Sequence, residues 1–375
     1  MTTVKHVLGI SGGKDSAALA IYMRQKHRDV EVDYYTCDTG KELPETYELI
    51  ERLNSVLGKN IIEYKSIDTF ESPQGNSFDH FLAIYGGYLP SSTARWCTKK
   101  MKLDPFERVI GDYPTISYVG IRGDEDREGY ISKKENIQSI FPFRRNIWSE
   151  DVMLKALSNS NITQLLGYYE SLVDQTKFES VSYFLKQPLS LGFNLKQKLN
   201  CLLDIDVKAF NRVIFEFLKT TDYPVGKLES FSLIENDEVI GITEVFKILE
   251  ESGVGIPAYY KPIEYQVTIA GEIKTGTYSR SRSGCFFCFF QQKIEWIWLL
   301  ETHPDLFEKA VEYEKDGYTW SEEPLSEIRI AERVEQIKRD HYLRTQKALL
   351  TNRNSSSWQE DIIAAEGDGC ASCFI

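Results

Sequence analysis

Val7-Leu8-Gly9-Ile10-Ser11-Gly12-Gly13-Lys14-Asp15-Ser16 decides the reading of this chain. An apolar run ends in two glycines, and a helix-forming run, residues 17–24, follows at once. That order predicts a strand, a tight loop and a helix N-terminus. Gly12 and Gly13 let the backbone approach a ligand closely. The unpaired N–H groups and positive dipole of the helix start favour an anion such as pyrophosphate. Lys14 adds a charge for phosphates, and Ser16 a hydroxyl. The stretch is not a Walker A loop, because Leu8 stands where the first glycine belongs and Asp15 follows the lysine. An ordinary strand-to-helix turn is the plainer alternative.

Working outward, Val30-Glu31-Val32-Asp33-Tyr34-Tyr35-Thr36-Cys37-Asp38 reads as a second strand closed by Asp38-Thr39-Gly40. Pro44-Glu45-Thr46-Tyr47 opens a helix to about Leu57. Asn60-Ile61-Ile62-Glu63-Tyr64 makes a third strand, and Thr115-Ile116-Ser117-Tyr118-Val119-Gly120-Ile121 a fourth. Strands spaced by helices predict a parallel sheet with right-handed crossovers, whose ligands sit outside the C-terminal strand ends. The glycine loop, Asp38 and Arg122 all fall at such ends. Each has a structural alternative: Asp38 as a turn or capping residue, Arg122 as the ion-pair partner of Glu125 or another carboxylate. Tyr34 and Tyr35 read as core packing.

The 375 residues allow two or three domains with ample core. No apolar run approaches the ~20 residues of a membrane span. The N-terminus runs straight into a strand, so no signal peptide and a cytoplasmic location are expected. A net charge of −12 argues against a generalised grip on nucleic acid, leaving room for a local basic contact. Of seven cysteines, Cys37, Cys97 and Cys201 stand alone, while Cys285/Cys288 and Cys370/Cys373 form CxxC pairs. In a cytosolic chain such pairs suggest metal or redox chemistry.

Residues 156–255 are rich in Leu, Phe, Asn and Lys and read as a helical insertion, with helices near 161–174, 207–220 and 242–251. Cys201 there reads as a buried small hydrophobe. In Ser279-Arg280-Ser281-Arg282-Ser283-Gly284-Cys285-Phe286-Phe287-Cys288-Phe289-Phe290, two thiols at CxxC spacing can hold a metal or cluster, or form a redox disulfide. The phenylalanines would keep such a site dry. A zinc site and unligated core thiols are the alternatives. Tyr278, Arg280 and Arg282, with Lys99, Lys100 and Lys102 after Cys97, form either a basic rim or a solvated surface. Residues 294–313 and 326–349 read as amphipathic helix, broken at His303-Pro304, which makes His303 structural. Residues 351–375 read as a mobile tail.

The string SGGKDS at residues 11–16 resembles the PP-loop of ATP pyrophosphatases, which split ATP between the α and β phosphates to adenylate a substrate. Asp38-Thr39-Gly40 with Pro44-Glu45-Thr46, and Gly120-Ile121-Arg122-Gly123-Asp124-Glu125 with Arg127, are similar to successive motifs of the phosphoadenosine phosphosulfate (PAPS) reductase-like family. Pro142, Trp148, Asp151 and Val152 resemble a further segment of it. The likeness covers residues 4–155 and resumes at about 256–300. True reductases of that family have a degenerate first loop and a terminal cysteine followed by glycine and histidine. This chain keeps SGGKDS and ends Gly369-Cys370-Ala371-Ser372-Cys373-Phe374-Ile375, which favours ATP cleavage.

The resemblance implies a Rossmann-like α/β fold of the adenine nucleotide alpha hydrolase kind, a parallel sheet flanked by helices. It divides the chain into an ATP-binding domain (1–155), the helical insertion (156–255), a cysteine segment with C-terminal helices (256–350) and the CxxC tail (351–375). It implies ATP on Ser11, Gly12, Gly13, Lys14, Asp15, Ser16, Asp38, Gly120 and Arg122, with Lys14, Asp15 and Arg122 catalytic and Mg²⁺ between the phosphates. It also implies a [4Fe–4S] cluster on Cys97, Cys285 and Cys288, with the fourth ligand open and Cys370 or Cys373 as candidates. Within the family the layout is similar to the sulfur-activating proteins of bacterial DNA phosphorothioation systems. That implies a cysteine desulfurase as sulfur donor and other proteins of a DNA-modification complex as partners. A tRNA thiolation enzyme, a sulfonucleotide reductase and a non-catalytic nucleotide- and cluster-binding subunit of a defence complex are the alternatives.

Overall fold

The computed structural model describes residues 3–66, 75–125, 131–315 and 317–351. Arg127, Cys370 and Cys373 lie outside the described residues, as does the tail beyond Thr351. Five parallel strands, β1 (Lys5–Gly9), β2 (Asp33–Thr36), β3 (Ile62–Glu63), β4 (Thr115–Tyr118) and β5 (Ile137–Ile140), form one sheet in the order β3-β2-β1-β4-β5. Helices flank it: the fold is the expected Rossmann-like α/β type. β1 sits centrally, with the chain winding outward on either side of it, so its C-terminal end opens at the switch in strand order.

The helix after β1, α1 (Lys14–Lys26), is buried from Lys14 through Met23. A helix buried all round needs small residues where neighbours press closely, and Ala17, Ala18 and Ala20 supply them. The next, α2 (Pro44–Leu57), starts on proline and ends at Gly58 in the left-handed conformation. Its buried face, Thr46, Leu49, Leu53 and Leu57, follows helical spacing. After α3 (Ser77–Ile84), a short α4 (Trp96–Thr98) passes into a π-helical turn, Lys99–Leu103, and then α5 (Asp104–Ile110). The sequence reading missed β5: Ile137-Gln138-Ser139-Ile140 is buried on both faces, so it shows no two-residue alternation.

Beyond the sheet come α6 (Glu150–Ala156), α7 (Ile162–Glu170), α8 (Gln175–Lys186), α9 (Leu195–Ile205), α10 (Val207–Leu218) and α11 (Ile242–Glu251). The expected helices are α7, α10 and α11. The unforeseen α8 and α9 carry good N-caps, Asp174 and Asn194. Cys201, on α9, is only half-buried, a correction to its expected core position. α11 packs along α1, and so backs the glycine loop's helix. An antiparallel hairpin, β6 (Ile263–Ile269) and β7 (Glu272–Tyr278), precedes α12 (Lys293–Thr302), α13 (Pro304–Tyr313), α14 (Leu325–Ile328) and α15 (Ala331–Thr351). The helix does break at His303, whose Nε2 meets Glu45 Oε1 of α2 at 2.9 Å, a structural tie as expected. This C-terminal part shares a second apolar core with Leu43, Phe78, Trp96 and Met101, which brings the cysteine segment up to the sheet's open end. Among the described residues no helix is long and apolar enough to cross a membrane.

Candidate nucleotide cleft and thiol cavity

Gly12 has φ +73, and a Cβ there would lie 2.2 Å from Thr46 Cγ2. The loop therefore turns only with glycine, and α2 presses directly against it. A Cβ on Gly13 would meet Ser283 Oγ at 2.5 Å, so the cysteine segment closes on the loop from the other side. Gly120 packs against the carbonyl of Asp15, 2.9 Å from where its Cβ would be. Gly13 is the N-cap of α1 and offers no side-chain cap, which leaves first-turn N–H groups for an anion. Ser11 and Ser16 join hydroxyls at 3.1 Å, and Ser16 also donates to the Gly13 carbonyl at 3.3 Å, so the two serines brace the loop.

The charged residues of the loop do not face the cleft. Lys14, expected against phosphate at the cleft surface, is 1% exposed, with Nζ 3.1 Å from Asp15. Asp15 also takes Arg122 at 2.9 Å, and Arg122, wholly buried, pairs further with Asp124 at 2.8 Å and Glu125 at 2.7 Å. Burial works to raise the Asp15 carboxyl, but the charges of Lys14 and Arg122 outweigh it and hold it below the usual carboxylate range. The ion-pair reading of Arg122 is thus realised. Two tyrosines from the C-terminal part complete the loop's support. Tyr259 donates its hydroxyl to the Gly12 carbonyl at 2.9 Å, and the Lys14 N–H donates to the Tyr260 hydroxyl at 3.4 Å.

In front of the loop, a cleft of about 210 Å³ lies over the C-terminal ends of β1, β2 and β3, walled by Ser11, Asp38, Thr46, Tyr47 and Ile61. Asp38 is both turn residue and cleft wall: its Oδ1 accepts from the Gly40 N–H at 2.8 Å and the Tyr47 hydroxyl at 2.9 Å. Glu42 also lines this cleft, with Oε1 accepting from Thr39 at 2.9 Å, while its buried Oε2 has no hydrogen-bond partner among the described residues.

Behind Ser11 lies an apolar cavity that Cys97, Cys285 and Cys288 all line, among Phe287, Phe289 and Trp320. The three expected cysteines are therefore brought together, Cys97 by α4 and the other two by the loop after β7. Cys285 Sγ lies 3.1 Å from Thr39 Oγ1. Burial pushes all three thiols up, Cys97 to about 11. The donor chemistry suits a metal or cluster, yet among the described residues no three His, Cys, Asp or Glu side chains stand in an arrangement able to hold a metal ion. Ser11 and Lys102 line both the strand-end cleft and the thiol cavity.

Sequence reasoning missed Glu42, Tyr47, Tyr259 and Tyr260. Glu42 stood between two quoted motifs, and a tyrosine 247 residues from its partner carries no local signal.

Residues 5–148 match the family model of the phosphoadenosine phosphosulfate reductase domain. The matched part contains the glycine loop, Asp38, Cys97 and Arg122, and stops short of Cys285 and Cys288. In that part the chain is similar to a nucleotide-using, PAPS reductase-like domain. No curated protein and no solved structure matches the chain.

Proposed function

We propose that this protein is an ATP pyrophosphatase that adenylates an acceptor for sulfur incorporation. The observation that carries the reading is the shared wall: the cleft in front of the glycine loop and the cavity of three thiols adjoin across Ser11 and Lys102. A nucleotide in the cleft places its phosphates at the uncapped start of α1. Attack by an acceptor oxygen on the α-phosphorus breaks its bond to the bridging oxygen, and pyrophosphate leaves with that bond's electron pair. Backbone donors at Gly12 and Gly13 stand where this charge develops. A sulfur nucleophile then displaces AMP from the acceptor.

The Mg²⁺ that accompanies ATP offsets phosphate charge. Asp38 and Glu42 would hold it, since such ions take one or two carboxylates beside phosphate oxygens, and Glu42 Oε2 has no partner among the described residues. The sulfur comes from a cysteine desulfurase, the acceptor is DNA in a bacterial phosphorothioation complex, and the protein works in the cytoplasm. The competing reading is a sulfonucleotide reductase, favoured by the reductase-domain match. Offered ATP, Mg²⁺, acceptor DNA and a sulfide donor, the protein should release pyrophosphate and AMP; offered PAPS and thioredoxin, it should yield no sulfite. Sulfite without ATP cleavage overturns the proposal in favour of the reductase.

For the thiol cavity, we propose that Cys97, Cys285 and Cys288, which line one dry cavity, would hold a [4Fe–4S] cluster, and that their side chains must shift to do so, since their present arrangement is not one able to hold a metal ion. Anaerobically purified protein should then contain iron and sulfide at about four each per chain. Stoichiometric zinc without iron contradicts it.

A further inference from the structure

The lysine of the glycine loop is committed elsewhere. Lys14 Nζ is held by Asp15 at 3.1 Å and lies 5.0 Å from the centroid of the Tyr260 ring. A ligand phosphate could claim it only by taking it from a buried carboxylate that burial already disfavours. Yet a triphosphate entering the strand-end cleft brings several negative charges into a largely enclosed space, beside the carboxylates of Asp38 and Glu42. Mg²⁺ on those carboxylates would offset part of that charge, and backbone N–H groups alone leave the rest poorly matched.

Among the described residues that line the cleft, Lys102 is the one cation. It is placed there by the π-helical turn, in which the Asp104 N–H bonds to the Lys99 carbonyl five residues back. Such turns are rare and cluster at functional sites. On this helical stretch Cys97, Thr98, Met101 and Lys102 all line the thiol cavity, and Lys102 alone of them also reaches the cleft. Its charge acts on Glu42, Cys97, Cys285 and Cys288, in each case against the larger upward push of burial. Lys102 thus lines both cavities, with its charge felt by groups in each.

We infer that Lys102, and not the motif lysine Lys14, is the side-chain cation that meets the phosphates of the bound nucleotide. The inference rests on the nucleotide reading of the cleft and deepens it. Lys14 then belongs to the buried ion network that shapes the loop, and Lys102 supplies the positive charge for the phosphates.

The test is equilibrium binding of ATP by titration calorimetry to the wild-type protein, Lys102→Met and Lys102→Arg, with melting curves of each without nucleotide. Loss of a charged hydrogen bond to phosphate should weaken ATP about 10–100-fold in Lys102→Met. Lys102→Arg should keep most of the affinity and, without nucleotide, melt as the wild type does. Unchanged ATP affinity in Lys102→Met overturns the assignment. So does a loss that follows a lowered melting temperature and is not restored by arginine. Failure of the wild-type protein to bind ATP overturns the nucleotide reading itself and the assignment with it, an outcome distinct from the other two.

Discussion

Arg122→Leu is expected to lower folding stability by about 3–5 kcal/mol, enough to leave much of the protein unfolded at physiological temperature. Arg122 has no exposed surface and serves three carboxylates, Asp15, Asp124 and Glu125. Among the described residues, it balances Asp15, Asp124 and Glu125 together with Lys14. Leucine fills much of the volume but removes a cation from beside these carboxylates, of which Asp15 and Glu125 are buried. Asp15 shows the sign of the pH effect. Its folded pKa is depressed, so its contribution is present above the unfolded value of about 3.9 and fades as pH falls through the folded one. Urea unfolding at neutral pH checks the prediction. A wild-type midpoint combined with lost ATP cleavage would instead make Arg122 a ligand-facing residue, against its burial.

Gly12→Ala carries the second large effect. A left-handed backbone costs an alanine about 1–2 kcal/mol, and its methyl would stand 2.2 Å from Thr46 Cγ2. Overpacking of that kind adds about 1–3 kcal/mol or displaces the loop. Displacement moves the donors that face the phosphates, so ATP binding should fall at least tenfold even where the fold survives. Thr46→Ser removes the clashing Cγ2 and keeps the hydroxyl. The pair Gly12→Ala/Thr46→Ser should therefore recover part of the binding, short of wild type by the backbone strain. If the single variant binds ATP as tightly as the wild type, the loop does not form the phosphate site.

The parts legible in the sequence were those whose physics is local. A hydrophobic run, two glycines and an alanine-rich helix specify the β1 loop and α1 within about twenty residues, and Pro44 and Gly58 bracket α2 as caps should. β5 was not legible, because burial on both faces erases the alternation that marks a strand. The direction of Lys14 was not legible either. A lysine after two glycines reads as a phosphate ligand until Arg122, 107 residues away, is seen to draw Asp15 and its partner inward. The meeting of Cys97 with Cys285 and Cys288 came from resemblance alone, since their approach depends on the second core that docks the C-terminal part against α3 and α4. Glu42 gains meaning only from the cleft it lines, and Lys102 from the two cavities it lines together.

ATP is expected over the C-terminal ends of β1, β2 and β3, with its phosphates at Gly12 and Gly13. A crystal structure of the protein with the non-cleavable α,β-methylene analogue of ATP and Mg²⁺ tests this most directly. The predicted result is the nucleoside in the cleft beside Asp38 and Ile61, the phosphates at the start of α1, and Lys102 within contact of them. The analogue bound instead in the large open cleft between α2, α3 and α13, with the glycine loop untouched, would contradict it.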